Sequence, residues 1–260
     1  MNDIRPPAFA GSFYPEDPEE LQKEISKYLK QASTKKTSGT TKALIVPHAG
    51  YEYSGPVAAC GYKLLQKSKF EEVILIGPSH RMRFQNCGLN NFQSWKTPLG
   101  FVHLSKVNDQ LATEASFSLL NETHTFEHSI EVQLPFLQSI LKDFKILPIA
   151  TGNIVNHRQI ALTLKKYIKQ NTLLIVSSDL SHYLPYKEAN DVDNETIDQI
   201  LNLDSTIDPN QACGAEGINI LIELAKLLKW KVKLIDYRNS GDTEGSKKEV
   251  VGYSAIEFYK

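Results

Sequence analysis

Three apolar runs, each followed at once by polar residues that include a histidine, constrain this chain more than any other feature. Val73–His80 reads VILIGPSH, Ala43–Gly50 reads ALIVPHAG and Leu173–His182 reads LLIVSSDLSH. A short, unbroken apolar run rich in Val, Ile and Leu is the pattern of a strand buried on both faces. Such strands belong to parallel sheets covered by helices. In open sheets of this type ligands bind in the crevice outside the carboxyl ends of the strands. Three strand ends that each deliver a histidine therefore point to one shared site.

The rest of the chain alternates in the same sense. Residues 5–14 (RPPAFAGSFY) carry too much Pro and Gly for a helix and read as an extended arm. Asp17-Pro18-Glu19-Glu20 is a helix start, with Asp as cap and Pro in the first position, and Leu21, Ile25, Tyr28 and Leu29 give that helix one packing face. Lys35–Lys42 reads as a solvated loop, and 48–56 as a loop leading into a helix that runs through Leu65. Residues 84–105 form a long irregular excursion before a helix over 107–116. Glu127–Phe144 reads as one deeply buried helix kinked at Pro135. Strands are expected at 145–150, 173–178, 232–237 and 250–258, with helices over 158–169, 187–201 and 215–228. Alternating strands and helices imply an α/β fold, a mainly parallel or mixed central sheet flanked by helices. With no repeat and no interdomain linker, residues 1–260 read as a single domain.

Charge excludes some functions. The 29 Lys and Arg nearly balance 30 Asp and Glu, which leaves no basic footprint for nucleic acid and no polybasic membrane anchor. The opening MNDIRPPAFAG has no apolar core of a signal peptide, and no apolar run approaches the ~20 residues of a membrane span. Three cysteines, Cys60, Cys87 and Cys213, are too few and odd in number for a disulfide framework. A cytoplasmic protein is expected.

His48 and His80 are the candidate ligands, because each directly follows a core strand and neutral imidazole is the commonest metal ligand. Asp179 and His182, three residues apart on a supposed helical turn, add a carboxylate and a third imidazole. Cys213 precedes a helix whose N-terminus would favour thiolate. Glu127, His128 and Glu131 crowd one helix start, where carboxylates could orient metal-bound rings. His103, His124 and His157 read as structural or surface groups, and Cys60 as core packing. Two imidazoles with a carboxylate suit non-haem iron, and two with a thiolate suit copper, zinc or iron. These residues leave open whether Asp179 or Cys213 is the third ligand.

The ordered set RPPAFAGSFYP, PHAGYEYSGPVA, IGPSH, EHSIEVQLPF, SSDLSH, ACG and VVGYSAIEF, from Arg5 to Phe258, resembles the Memo family. That resemblance implies a fold like the class III extradiol dioxygenases and metal ligands at His48, His80 and Cys213, with Asp179 and His182 beside them. It favours the thiolate over Asp179. Memo-like proteins are linked to iron- or copper-dependent redox chemistry and to metal handling, and prokaryotic members to a radical-SAM protein as partner. Tyr183-Leu184 departs from the family's aromatic-Gly pair, which alters the rim of the pocket.

The expected function is accordingly a redox protein using iron or copper (zinc being possible). Asp179, His182 and Cys213 are its candidate catalytic groups, and a small molecule or peptide its guest. A carrier or peptide-binding protein using the same pocket without turnover is the alternative, and a metal-free hydrolase using Cys213 with His182 a third.

Overall fold

The computed structural model describes residues 3–34 and 39–260, so part of the expected 35–42 loop, residues 35–38, lies outside the described residues. In chain order the elements are β1 (Ile4–Arg5), α1 (Pro18–Gln31), β2 (Thr41–Val46), α2 (Tyr51–Lys63), β3 (Glu72–Pro78), β4 (Cys87–Leu89), β5 (Ser94–Thr97), β6 (Gly100–Leu104), α3 (Val107–Leu111), β7 (Phe117–Leu119) and α4 (Glu122–Thr125). They continue with α5 (Leu134–Ile140), β8 (Lys145–Thr151), α6 (His157–Lys165), β9 (Thr172–Ser177), β10 (His182–Leu184), α7 (Tyr186–Leu201), α8 (Ala215–Leu228), β11 (Lys231–Asn239) and β12 (Val250–Tyr259).

One mixed sheet runs β1-β5-β6-β8-β3-β9-β2-β12-β10. Its centre, β8-β3-β9-β2, is parallel, and β12 closes one side antiparallel to β2 and β11. Alternate residues of each central strand serve two separate cores. Val73 and Leu75 pack with α1, α2 and α5 on one face, while Ile74 and Ile76 pack with α6 and α8 on the other. Burial on both faces is why these strands read as continuous apolar runs. The result is the helix–sheet–helix sandwich expected from the sequence.

Several boundaries differ from the sequence reading, each for a local reason. The helix expected after residue 56 already starts at Tyr51, with Pro56 inside it. Glycine at its cap and the bond from the Tyr51 N–H to the Phe13 carbonyl (2.8 Å) hold that start. The single helix over 127–144 does not form. The Glu127 carboxylate accepts the Ser129 N–H (3.0 Å), a local bond that competes with helix continuation. A 3-10 turn over Glu131–Gln133 follows, and then α5. Pro135 lies in the first turn of α5, where its missing N–H costs nothing, so it begins a helix instead of kinking one.

The excursion over 84–105 contains β4, β5 and β6, which extend the sheet. The helix at 107 stops at Leu111, and β7 follows at Phe117. Asp179–His182 is extended chain and not a helical turn. The Leu180 N–H bonds the Gly252 carbonyl (2.8 Å) and the Gly252 N–H the Ser181 carbonyl (2.9 Å), stitching the segment to β12. Thr41 and Lys42, expected in a loop, are the first residues of β2.

Candidate metal centre

The parallel strands β2, β3 and β9 end side by side at Val46, Pro78 and Ser177. The loops leaving β2 and β3 carry His48 and His80, and Asp179 follows β9. His128 arrives from the Glu127 turn. The three imidazoles pack together, with ring centroids 5.2 Å apart for His48–His80 and His48–His128 and 4.6 Å for His80–His128. Among the described residues, one ring nitrogen from each of the three lies within 4.8 Å of the others, a spacing that can hold an ion.

The hydrogen bonds assign the rings. His80 Nδ1 and His128 Nδ1 lie 2.9 and 3.1 Å from Oε1 of Glu127. A carboxylate only accepts, so both rings carry their proton on Nδ1. Burial disfavours the Glu127 charge, but bonds from His128 and His80 and the Ser129 N–H outweigh it and hold its pKa well below the usual carboxylate range.

For His48 the argument passes through Ser177. The Ser177 hydroxyl donates to the Ser129 carbonyl. Its oxygen accepts from Gln133 Nε2 (2.7 Å) and lies 2.9 Å from His48 Nδ1. Gln133 is itself oriented, because Nε2 donates to the Pro47 carbonyl and Oε1 accepts the Tyr62 hydroxyl (2.9 and 2.7 Å). With its one proton committed, Ser177 can only accept from His48, so that ring too carries its proton on Nδ1. All three Nε2 atoms are left unprotonated, and that of His48 faces the Cys213 sulfur. Burial, followed by the neighbouring His128 and His80, holds the His48 pKa well below its ordinary value, so the ring stays neutral.

Cys213 sits against this group. Its Sγ is 3.2 Å from His48 Nε2, accepts the Asp179 N–H at 3.3 Å, and is kept as a thiol by burial and by the Asp179 charge. Gly214 permits the approach: a Cβ there would lie 2.6 Å from Cβ of Ser178 and 2.8 Å from the Ser177 carbonyl oxygen. Asp179 is buried, accepts the His48 backbone N–H at 2.7 Å, and has its pKa raised by burial.

The histidines open into a cavity of about 680 Å³ whose wall includes Phe9, Phe13, Tyr53, Arg81, His182 and Tyr253. His182 is exposed at its rim beside Tyr183, a residue 71% exposed on a backbone with φ of 57°. Cys213 lines a second cavity of about 730 Å³, together with Ser79, Arg83 and Glu216.

His48, His80, Asp179 and Cys213 lie near one another and His182 stands at the cavity rim, but the group that can hold an ion comprises His48, His80 and His128 without Cys213, and two residues change role. His128, expected to support other ligands, offers a nitrogen to the cluster itself. Glu131, expected to orient imidazoles, turns to the N-terminal arm instead, binding Arg5, the Ala8 and Phe9 N–H groups and the Tyr14 hydroxyl. Sequence reasoning passed over Ser177, Gln133 and Tyr62, which orient His48. Ser177, a polar residue ending an apolar strand, was the visible signal. Of the histidines set aside, His124 is buried against Trp95 and His157 pairs with Glu216. Cys60 and Cys87 are buried.

A family model described as Memo-like protein matches residues 5–257. A MEMO1 family protein of Saccharolobus solfataricus is 37% identical, covering 98% of this chain and 99% of its own. Others from Methanosarcina barkeri and Aquifex aeolicus are each 35% identical, covering 97% and 98% of this chain and 99% of their own. No helix among the described residues is long and apolar enough to cross a membrane. On the strength of matches that run almost end to end, the chain belongs to the Memo family.

Proposed function

We propose that this protein binds one iron or copper ion, zinc being the redox-inactive alternative, and uses it for redox chemistry on a small molecule or peptide in the 680 Å³ cavity. His48, His80 and His128 would hold the ion, and Cys213 would join as thiolate on the His48 side. The observation that carries this reading is the shared protonation of the three rings. Each has its Nδ1–H committed to a fixed oxygen, so each keeps an unprotonated Nε2 for a cation, that of His48 once the Cys213 thiol facing it gives up its proton.

The thiol position fits the same reading. Ligands at about 2.0–2.1 Å (N) and 2.3 Å (S) from a tetrahedral ion stand about 3.5 Å apart, and Sγ and Nε2 of His48 are 3.2 Å apart. A small separation, with loss of the thiol proton, would accommodate an ion. When bound, that ion supplies a Lewis acid and, for iron or copper, an electron acceptor. Asp179 and His182 both line the cavity and would hold and pass protons to a guest. Three free cysteines suit a reducing compartment, and we place the protein in the cytoplasm.

Elemental analysis of the purified protein should find about one ion per chain in the wild type, and little in His48→Ala or His80→Ala. Oxygen uptake with a reductant, compared between wild type and Cys213→Ser, tests the redox role. Turnover in neither, with metal held tightly by the wild type, would replace the redox reading with that of a carrier.

A further inference from the structure

We infer that Glu131 is a positioning residue for the metal centre, acting through the N-terminal arm that it fastens over His128. The inference rests on the metal-binding reading above.

Residues 5–14 have little regular structure of their own, yet they cross the molecule to Glu131, a carboxylate with no solvent exposure. Its Oε2 accepts Arg5 Nη1 at 2.6 Å and the Ala8 N–H at 3.0 Å. Its Oε1 accepts the Phe9 N–H at 2.9 Å and the Tyr14 hydroxyl at 2.6 Å. One anchor thus fixes both ends of the segment that carries Phe9 and Phe13. Those two rings meet edge to face at 5.3 Å and lie 5.4 and 4.6 Å from the ring of His128.

His128 is held by Glu127 at Nδ1 and packed by the two phenyl rings. The same arm reaches Glu127 from behind, because Arg5 Nη2 donates to the Glu127 carbonyl at 2.8 Å. Releasing the arm would therefore loosen His128 and one wall of the cavity most, and His80 less, through Glu127, while His48, held by Ser177, keeps its place. Phe9 and Phe13 line that cavity, so the arm also sets how readily solvent reaches the centre.

The test loads the full chain with cobalt(II) and follows its release to an excess of chelator, together with the visible ligand-field spectrum of the bound ion. Glu131→Gln should release cobalt about tenfold faster with a shifted spectrum, the size of effect expected of outer partners of metal ligands. Tyr14→Phe and Phe13→Leu, which keep the Arg5–Glu131 pair, should shift both readouts in the same direction by a smaller factor, so a failure of Glu131→Gln to fold leaves the inference testable. Leu164→Ala, in the core on the opposite face of the sheet, controls for general destabilisation and should release cobalt at the wild-type rate. Wild-type release and spectrum in Glu131→Gln, Tyr14→Phe and Phe13→Leu would overturn the inference alone, as would equally fast release from Leu164→Ala. Wild-type protein that binds no cobalt would overturn the metal reading and this inference with it.

Discussion

Oε1 of Glu127 accepts hydrogen bonds from Nδ1 of both His80 (2.9 Å) and His128 (3.1 Å), so one oxygen fixes the tautomer and aim of two imidazoles. Its other oxygen accepts the backbone N–H of His80 at 2.7 Å, which ties the β3 loop to the same carboxylate. Glu127→Gln keeps the shape but weakens the acceptor and brings an amide that can donate. Metal affinity should fall about 10–100-fold with little change in circular dichroism. Titration with a competing chelator measures it, and unchanged affinity would remove Glu127 from the site.

Ser177→Ala should act on the third ring. Both His48 Nδ1–H and one Gln133 N–H would lose their acceptor in a buried place. Leaving such groups unpaired costs about 1–3 kcal/mol each. A lower urea midpoint and a drop in bound metal are both expected. A loss of stability with metal retained would show that Ser177 braces the core and not the ligand.

The Arg5–Glu131 pair is wholly buried, and the Arg5 guanidinium lies 4.2 Å from the ring centre of Trp95. Removing one partner of such a pair costs about 3–5 kcal/mol, and Glu131 also accepts the Ala8 and Phe9 N–H groups and the Tyr14 hydroxyl, each costing about 1–3 kcal/mol if stranded in a buried place. Arg5→Met should therefore lower the urea midpoint and change the Trp95 fluorescence, and adding Glu131→Leu should lower the midpoint further. A double variant no less stable than Arg5→Met would show that those three bonds do not hold the arm.

Acid should weaken the fold through His124. Burial lowers its pKa from 6.5 to about 4. In the unfolded chain this ring takes up a proton near pH 6.5, while in the folded chain it resists until about pH 4. Stability from this residue is therefore complete above pH 6.5 and declines as the pH falls toward 4, at up to about 1.4 kcal/mol per pH unit. Urea midpoints measured from pH 7 to 4.5 should fall, and His124→Asn should flatten the dependence. A profile unchanged by that substitution would shift the acid sensitivity to other groups.

Tyr183 occupies the left-handed region with its ring largely in solvent, so little packing offsets the backbone cost. Tyr183→Gly should raise the thermal midpoint, relieving about 1 kcal/mol. A lowered midpoint would mean that the ring packs at the cavity rim more firmly than its exposure implies.

The strand-end histidines were legible because the information is local. An apolar run buried on both faces declares its strand, and whatever follows it must stand at the sheet's carboxyl edge, so His48, His80 and Asp179 could be placed from their neighbours alone. The alternation of elements, the capped helix at Asp17 and the mostly parallel sheet were legible for the same reason. The tertiary structure alone decided the partners of Glu127 and Glu131. Both were seen as carboxylates near a helix start, yet one turns to His80, 47 residues away, and the other to Arg5, 126 residues away. Local pattern suggested a helix through them. The Glu127 carboxylate instead took the backbone N–H groups of His80 and Ser129, and that choice brought His128 to the cluster. Hydrophobic period fixes which face of an element is buried, but a buried polar group takes the partner that folding brings within about 3 Å, and spacing along the chain does not encode that partner.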